Sequence, residues 1–312
     1  MKEAVLISYM GAPSTTEEIK PFLYRLFSDR DLINFGVPSF LQKPLAYLIS
    51  TFRTPKVKPQ YEAIGGGSPL VKYSLEQGEL LEREVGIPVF VGMLYSEPLI
   101  SKVAKEILKG GFKKVYHITL YPQYSIATAG ACLRDGRKYL EGKVELKEVR
   151  SWAKNPNYVE WIRRAIKREL SGLNPKETVI LFSAHSLPKY IVEERGDRYP
   201  QEVRATVEAV MDGFKEFPYR ISYQSKVGPI EWLEPSTEEE LRKVKEEGFK
   251  NVVVFPVSFV SEHIETLYEL DVEYGELAKE LSLNYKRVKL DHRDPLLIGA
   301  LKEEVEKLRG QR

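Results

Sequence analysis

A chain of 312 residues is long enough for one large or two ordinary domains, and 43% hydrophobic with 29% charged residues describes a water-soluble globular protein rather than a disordered one. A net charge of +2 argues against a nucleic-acid partner, because phosphate binding needs a pronounced basic excess. The one cysteine, Cys132, excludes an intrachain disulfide and a cluster held by four thiolates of one chain, so no iron–sulfur cluster is expected and a reducing compartment fits.

At the N-terminus, MKEAVLISYMGAP is too short an apolar run for a signal peptide, and no run approaches a membrane span. The cytoplasm is the expected location, with surface attachment to a membrane left open. Short β-branched runs then recur at 4–10, 88–94, 114–120, 143–149, 178–183, 219–224, 251–257 and 284–290, with helical patterns between them. Near-continuous apolar strands separated by helices predict parallel sheets covered on both faces.

A weak internal repeat divides the chain. GFKKV at 111–115, leading to Tyr121-Pro122, is echoed by GFKNV at 248–252, leading to Pro256, and VLISYMGAP at 5–13 is echoed by VILFSAHSLP at 179–188. We expect two similar Rossmann-like domains, 1–150 and 151–312, facing across a cleft, with a C-terminal helix at 295–308 that packs on either.

Open α/β sheets bind ligands beyond the carboxyl ends of their strands. Met10, Tyr95, Tyr121 and Tyr124 fall at such ends in the first half, and His185, Gln224, Ser225, Glu262, His263 and Glu265 in the second. The second half thus carries the ionisable groups and the first offers aromatic and apolar walls.

Four features need weighing. Residues 32–52, LINFGVPSFLQKPLAYLISTF, are either a pair of core helices or an exposed apolar lip touching a hydrophobic ligand or a membrane. IGGGSP at 64–69 fits neither nucleotide-binding glycine pattern and reads as a tight turn with Pro69 opening a helix. Arg53 and Lys56 read as loop residues, either simply solvated, as such pairs usually are, or able to clamp ligand carboxylates. In 257–281, Glu262, Glu265, Glu269, Glu273, Glu276 and Glu280 step by three or four, so they would stack on one helical face opposite Ile264, Leu267, Tyr268, Leu277 and Leu281.

A solvated acidic face is the ordinary meaning of such a stripe, and a capping role the ordinary meaning of a lone histidine. What favours chemistry is that His185 and His263 occupy matching strand-end positions. With Glu265 they are the right types to accept protons near neutral pH and to hold a borderline divalent metal transiently. Their spacing is not that of a structural zinc site. His117 and His292 read as structural.

Five collinear stretches then carry a family resemblance: IGGGSPL at 64–70, YPQYS at 121–125, FSAHSLP at 182–188 with ERGD and YPQEV following, YQSKVGP at 223–229 with Trp232-Leu233, and residues 259–274. Together they resemble ferrochelatase. The resemblance implies insertion of ferrous iron into a porphyrin to give haem on two Rossmann-like domains, with iron as substrate and no permanently bound cofactor. It implies His185 as base or metal receiver and Glu265 as its acidic partner, both touching the metal. Glu262, His263, Glu269 and Asp271 would extend a proton or metal path along a π-type helix.

Arg53, Lys56 and Ser225 match positions near the porphyrin propionates, and Met10, Tyr124 and Trp232 match pocket positions, with Tyr95 added from its strand-end place. QSKVGP is closer to members acting on protoporphyrin IX than to those acting on coproporphyrin III. Two positions depart from the usual pattern: Glu262 where Asp is common, and Leu94 where Arg is. Peripheral contact with the inner membrane surface through 32–52 completes the expectation. Rival readings are a chelatase loading cobalt or nickel into a more carboxylated tetrapyrrole, and a non-catalytic haem or metal carrier.

Overall fold

The computed structural model describes residues 2–310. Eight strands form two four-stranded, all-parallel sheets: β1 (Glu3–Tyr9), β2 (Val89–Met93), β3 (Lys114–Thr119) and β4 (Glu145–Glu148) in the order β2-β1-β3-β4, then β5 (Thr178–His185), β6 (Tyr219–Gln224), β7 (Asn251–Pro256) and β8 (Asn284–Arg287) in the order β6-β5-β7-β8. The two orders are the same winding made twice, as the internal repeat implies. Each chain path steps to one side of its first strand and then to the other. The switch points therefore lie between β1 and β3 and between β5 and β7, where ligands of open α/β sheets sit.

Two compact units contain these sheets. One comprises the chain through Tyr121, Ser125–Ser151 and the residues from Leu301 on; the other comprises Pro122–Tyr124 and Trp152–Ala300. The C-terminal helix Pro295–Gly310 is thus divided between them. In the first unit, Ala4, Leu6 and Val115 of the sheet pack with Val103, Ala104, Ile107 and Leu140 of its helices. In the second, Val179, Leu181, Val252 and Val254 pack with Leu241, Val244, Leu270 and Ala278. Full burial of each Val, Leu or Ile side chain among them contributes about 1.5–3 kcal/mol.

The apolar segment of the first unit resolves into one long helix, Ser39–Ala63, rather than a core pair. Its burial is inverted. Gln42, Ala46 and Ser50 face inward, whereas Phe40 is 74% exposed, Phe52 69%, and Leu41, Tyr47 and Leu48 are also exposed. Arg53 and Lys56 stand on this helix, not on a loop. IGGGSP does form a turn, with Gly65 at φ 108° and Gly66 at φ 94°, and the next helix starts at Leu70. Gly67 is required by close approach, since a Cβ there would lie 1.9 Å from Ser14 O.

His117 is fully buried in β3, its Nε2 2.7 Å from Ser8 Oγ of β1. Glu148 Oε1 lies 3.9 Å from Nδ1, an acidic neighbour not foreseen, but both carboxylate oxygens accept from Arg137, which matches that charge. Burial therefore dominates, with Arg137 adding to it, and the pKa of His117 is pushed down to about 3 from 6.5.

Between those values the unfolded chain binds a proton that the folded chain does not. Stability present above pH 6.5 is accordingly lost as pH falls, by up to about 1.4 kcal/mol per pH unit. His117→Gln should flatten this fall, measured as unfolding free energy in urea at pH 7 and at pH 5. An unchanged slope would assign the acid sensitivity elsewhere.

Candidate active site

His185 is the last residue of β5. Its main chain is held by a closed ring of bonds: His185 N–H donates to Ser258 Oγ (3.1 Å), Tyr199 O–H donates to His185 O (2.9 Å), and the two hydroxyl oxygens are 2.5 Å apart. With its own proton committed to His185 O, Tyr199 accepts from Ser258. Burial raises the Tyr199 pKa further above its ordinary value, so the phenol stays a donor.

The imidazole itself is half-buried, with Nδ1 2.6 Å from Ser186 O. A carbonyl only accepts, so Nδ1 carries the hydrogen and Nε2 presents a lone pair. That lone pair is what a base or a metal receiver needs.

Residues 257–281 are not one α-helix. The chain is irregular through His263, a π-helix runs Glu265–Glu273, and an α-helix follows over Tyr274–Glu280. Tyr274 N–H bonds to Glu269 O, five residues back, the pattern of the wider turn. The buried side chains are consequently Thr266, Leu270 and Ala278, whereas Ile264, Leu267, Tyr268, Leu277 and Leu281 are only half-buried. Spacing of three and four presumes an α-turn, which is why the sequence reading misplaced the buried face.

His263 is buried, and the Phe259 ring lies near both histidines: ring centroids are 6.2 Å apart for His185 and Phe259 and 4.2 Å for Phe259 and His263. Its Nδ1 donates to Ser261 O at 3.1 Å. Its Nε2 lies 3.0 Å from Glu265 Oε2, yet has no aligned hydrogen-bond partner. Burial lowers the His263 pKa, and Glu265 and Glu262 oppose that shift. A neutral His263 with hydrogen on Nδ1 would turn a lone pair toward an anionic oxygen. A shared proton or a cation relieves that repulsion.

Glu265 remains 22% exposed at its side chain, so it can exchange with solvent. Among the described residues no three His, Cys, Asp or Glu side chains form a ready metal cage. A cation here would complete its shell with water or substrate atoms.

The other acidic groups are tied down. Glu269 accepts from Ser225 N (2.7 Å), Ser225 Oγ (2.5 Å), Gln224 Nε2 (3.0 Å) and Tyr274 Oη (3.3 Å). Gln224 also donates to Glu265 O at 3.2 Å, while its own Oε1 accepts from Ser183 Oγ at 2.7 Å. Glu262 and Asp271 both turn to Arg287, a residue sequence reasoning passed over. The only signal was a basic residue inside the strand-like run NYKRV, where burial is easy to miss.

Of the expected porphyrin-binding residues, Tyr124, Ser225 and Trp232 belong to the second unit. Ser225 has its amide and hydroxyl on Glu269 at a left-handed φ of 69°. Trp232 is half-buried and its indole N–H donates to Val227 O (3.1 Å); Tyr124 is half-buried too.

Met10, Arg53, Lys56 and Tyr95 belong to the first unit. Met10 directly follows β1 and is half-buried. Tyr95 is buried and its hydroxyl donates to Asp29 Oδ2 at 2.7 Å, which leaves it little freedom to meet a ligand. The Arg53 guanidinium faces the Phe27 ring at 5.8 Å, and desolvation lowers its pKa; Lys56 is exposed.

The family model named Ferrochelatase matches residues 2–308. This chain belongs to the ferrochelatase family. A ferrochelatase of Aquifex aeolicus (strain VF5) is 41% identical over 312 residues, covering 98% of this chain and 99% of that protein. A ferrochelatase of Synechococcus sp. (strain RCC307) is 38% identical over 315 residues, covering 97% and 81%.

Among solved structures, SirB from Bacillus subtilis with Fe3+ has a TM-score of 0.57 at 12% identity, covering 100% of this chain and 98% of that one, a likeness of fold alone. Of the two departures from the ferrochelatase pattern, Glu262 accepts from Arg287, and Leu94 is half-buried with its amide on Tyr9 O at 3.0 Å.

Proposed function

We propose that the protein inserts ferrous iron into a porphyrin to form haem, with His185 and Glu265 as the reacting side chains. The observation that carries the reading is the His185 Nε2 lone pair at the end of β5, in a member of the ferrochelatase family whose Phe259 ring touches both His185 and His263, the latter paired with Glu265 where the π-helix begins. Iron enters as substrate and no resident cofactor is invoked.

A free porphyrin carries two central N–H protons. Metallation breaks both N–H bonds, forms bonds from the nitrogens to the metal, transfers no electron and releases two protons. His185 Nε2 accepts a pyrrole proton and passes it on. Glu265, partly open to solvent, takes up protons from the site or replaces a water on the incoming ion. Tyr124 and Trp232 would offer apolar surface to the ring.

The preferred substrate is protoporphyrin IX rather than coproporphyrin III, and ferrous iron rather than cobalt. Steady-state metallation of both porphyrins, each with iron, zinc and cobalt, tests this directly. A higher kcat/KM for protoporphyrin with iron is expected. No product from either porphyrin would favour a carrier, and cobalt loading of a more carboxylated tetrapyrrole would favour the rival chelatase.

The inverted Ser39–Ala63 helix supports a cytoplasmic protein that rests on the inner membrane surface, where an apolar porphyrin partitions. No helix among the described residues is long and apolar enough to cross a membrane. The protein should therefore sediment with lipid vesicles, and replacing Phe40, Leu48 and Phe52 together by Ser should abolish this. Complete recovery of the unaltered protein in the supernatant would remove the membrane from the account.

A further inference from the structure

Arg287 closes β8 with a side chain only 4% exposed. Its Nη1 donates to Glu262 Oε1 at 2.5 Å, its Nε to Asp271 Oδ1 at 2.6 Å and its Nη2 to Asp271 Oδ2 at 2.5 Å. Glu262 precedes the π-helix and Asp271 lies within it, so one guanidinium grips the chain on both sides of Glu265. Glu262 extends the grip: Oε1 also accepts from Leu290 N (2.8 Å), and Oε2 accepts from Thr266 Oγ1, which in turn accepts from His263 N (3.0 Å).

A π-helix is rare and is found mostly as a short insertion at functional sites, so a nine-residue stretch calls for contacts that favour its register. The two-sided fork explains the choice of Arg over Lys, which would offer a single point of charge. Neutralising two carboxylates would not by itself need this geometry. Stability alone does not account for a buried ion cluster, since apolar groups of the same volume often stabilise a fold equally well, and selection of one register is the best-attested use of such a cluster.

We propose that Arg287 is a positioning residue for metallation: by bracing Glu262 and Asp271 it fixes the register of the π-helix and so holds the Glu265 carboxylate against His263. The inference rests on the reading of Glu265 as a reacting group. A misplacement of about 1 Å at such a group costs roughly 100-fold in rate.

The test uses the full-length protein, with the unaltered chain as reference. Arg287→Met should keep its circular dichroism spectrum and a cooperative melt, lose about 10- to 100-fold in kcat for iron insertion, and leave KM for porphyrin within about twofold. Arg287 also borders a surface pocket of about 540 Å³ with Arg168, Glu169 and Asp291. Millimolar guanidinium should restore part of kcat to Arg287→Ala.

Combining Glu262→Gln and Asp271→Asn with Arg287→Met removes the unpaired charges. That variant should regain thermal stability without regaining kcat. Recovery of both, or a kcat for Arg287→Met within twofold of the unaltered protein, would overturn the proposal.

If the unaltered protein forms no haem, the functional reading falls instead. Amide hydrogen exchange still judges Arg287 in that case. Faster exchange in Arg287→Met confined to Glu265–Glu273 supports the bracing role, and unchanged exchange there removes it.

Discussion

His185→Ala is expected to lose at least about 100-fold in turnover of porphyrin to haem while melting within a few degrees of the unaltered protein. The size of the loss follows from removing the lone pair that accepts a pyrrole proton, since a well-placed general base contributes about 10²–10⁴-fold. Retention of the fold follows from what anchors the position. Ser258 and Tyr199 bind the main chain of residue 185, and Ala keeps both of those groups. The imidazole is half-buried at a strand end and fills no closed core.

His185→Asn is the sharper control, because its amide keeps local hydrogen bonding but offers no basic nitrogen. It should be as inactive as Ala. The checks are product formation under iron excess and a thermal melt of each variant. Turnover by the Ala variant at the rate of the unaltered protein would remove His185 from the reaction.

Much of the scaffold was legible because its signals are short-range. A strand lies within or overlaps each of the eight expected runs, and the run 219–224 matches β6 from end to end, but not every strand is near-continuously apolar: the edge strands β4, ELKE, and β8, NYKR, are polar, as suits strands with one side that meets no neighbouring strand. The repeat of GFKKV as GFKNV implied one winding made twice, and both sheets have that winding. His185 is legible as a residue type at a strand end, whereas His263 and Glu265 lie past the end of β7 at Pro256, His263 in an irregular stretch and Glu265 at the start of the π-helix, so the expected match of the two histidines as strand-end residues does not hold.

The setting of His185 and Glu265 was not legible, because it depends on side chains distant in sequence. The ring formed by Tyr199, Ser258 and the His185 main chain, and the grip of Arg287 on Glu262 and Asp271, have no local pattern. The acidic stripe misled for a related reason. It was read at α-spacing, whereas the helix from Glu265 has the wider turn, and Glu269 is held by four donors rather than facing water. In the Ser39–Ala63 helix, hydrophobicity alone leaves core and lip both open, and burial of Gln42, Ala46 and Ser50 is what turns Phe40, Leu48 and Phe52 outward.

Glu265→Gln is expected to separate activity from stability in opposite directions. In the unaltered chain the Glu265 carboxylate stands 3.0 Å from a histidine nitrogen that has no aligned partner, an arrangement held in place by the fold rather than favoured by itself. A Gln amide occupies nearly the same volume and brings an N–H that can donate to His263 Nε2. It thereby satisfies a buried acceptor, which is worth about 1–3 kcal/mol when otherwise unmet.

The melting temperature should accordingly hold or rise. Turnover should fall by about 100-fold or more, because a neutral amide neither takes a proton near pH 7 nor attracts a hydrated dication. Glu265→Asp keeps the charge at a shorter reach and should lie between the two in rate. Parallel measurement of melting temperature and single-turnover metallation decides the matter. A Gln variant that melts higher and turns over at the unaltered rate would make Glu265 a structural residue, whereas loss of activity together with a large drop in melting temperature would mean that its carboxylate holds the π-helix in place.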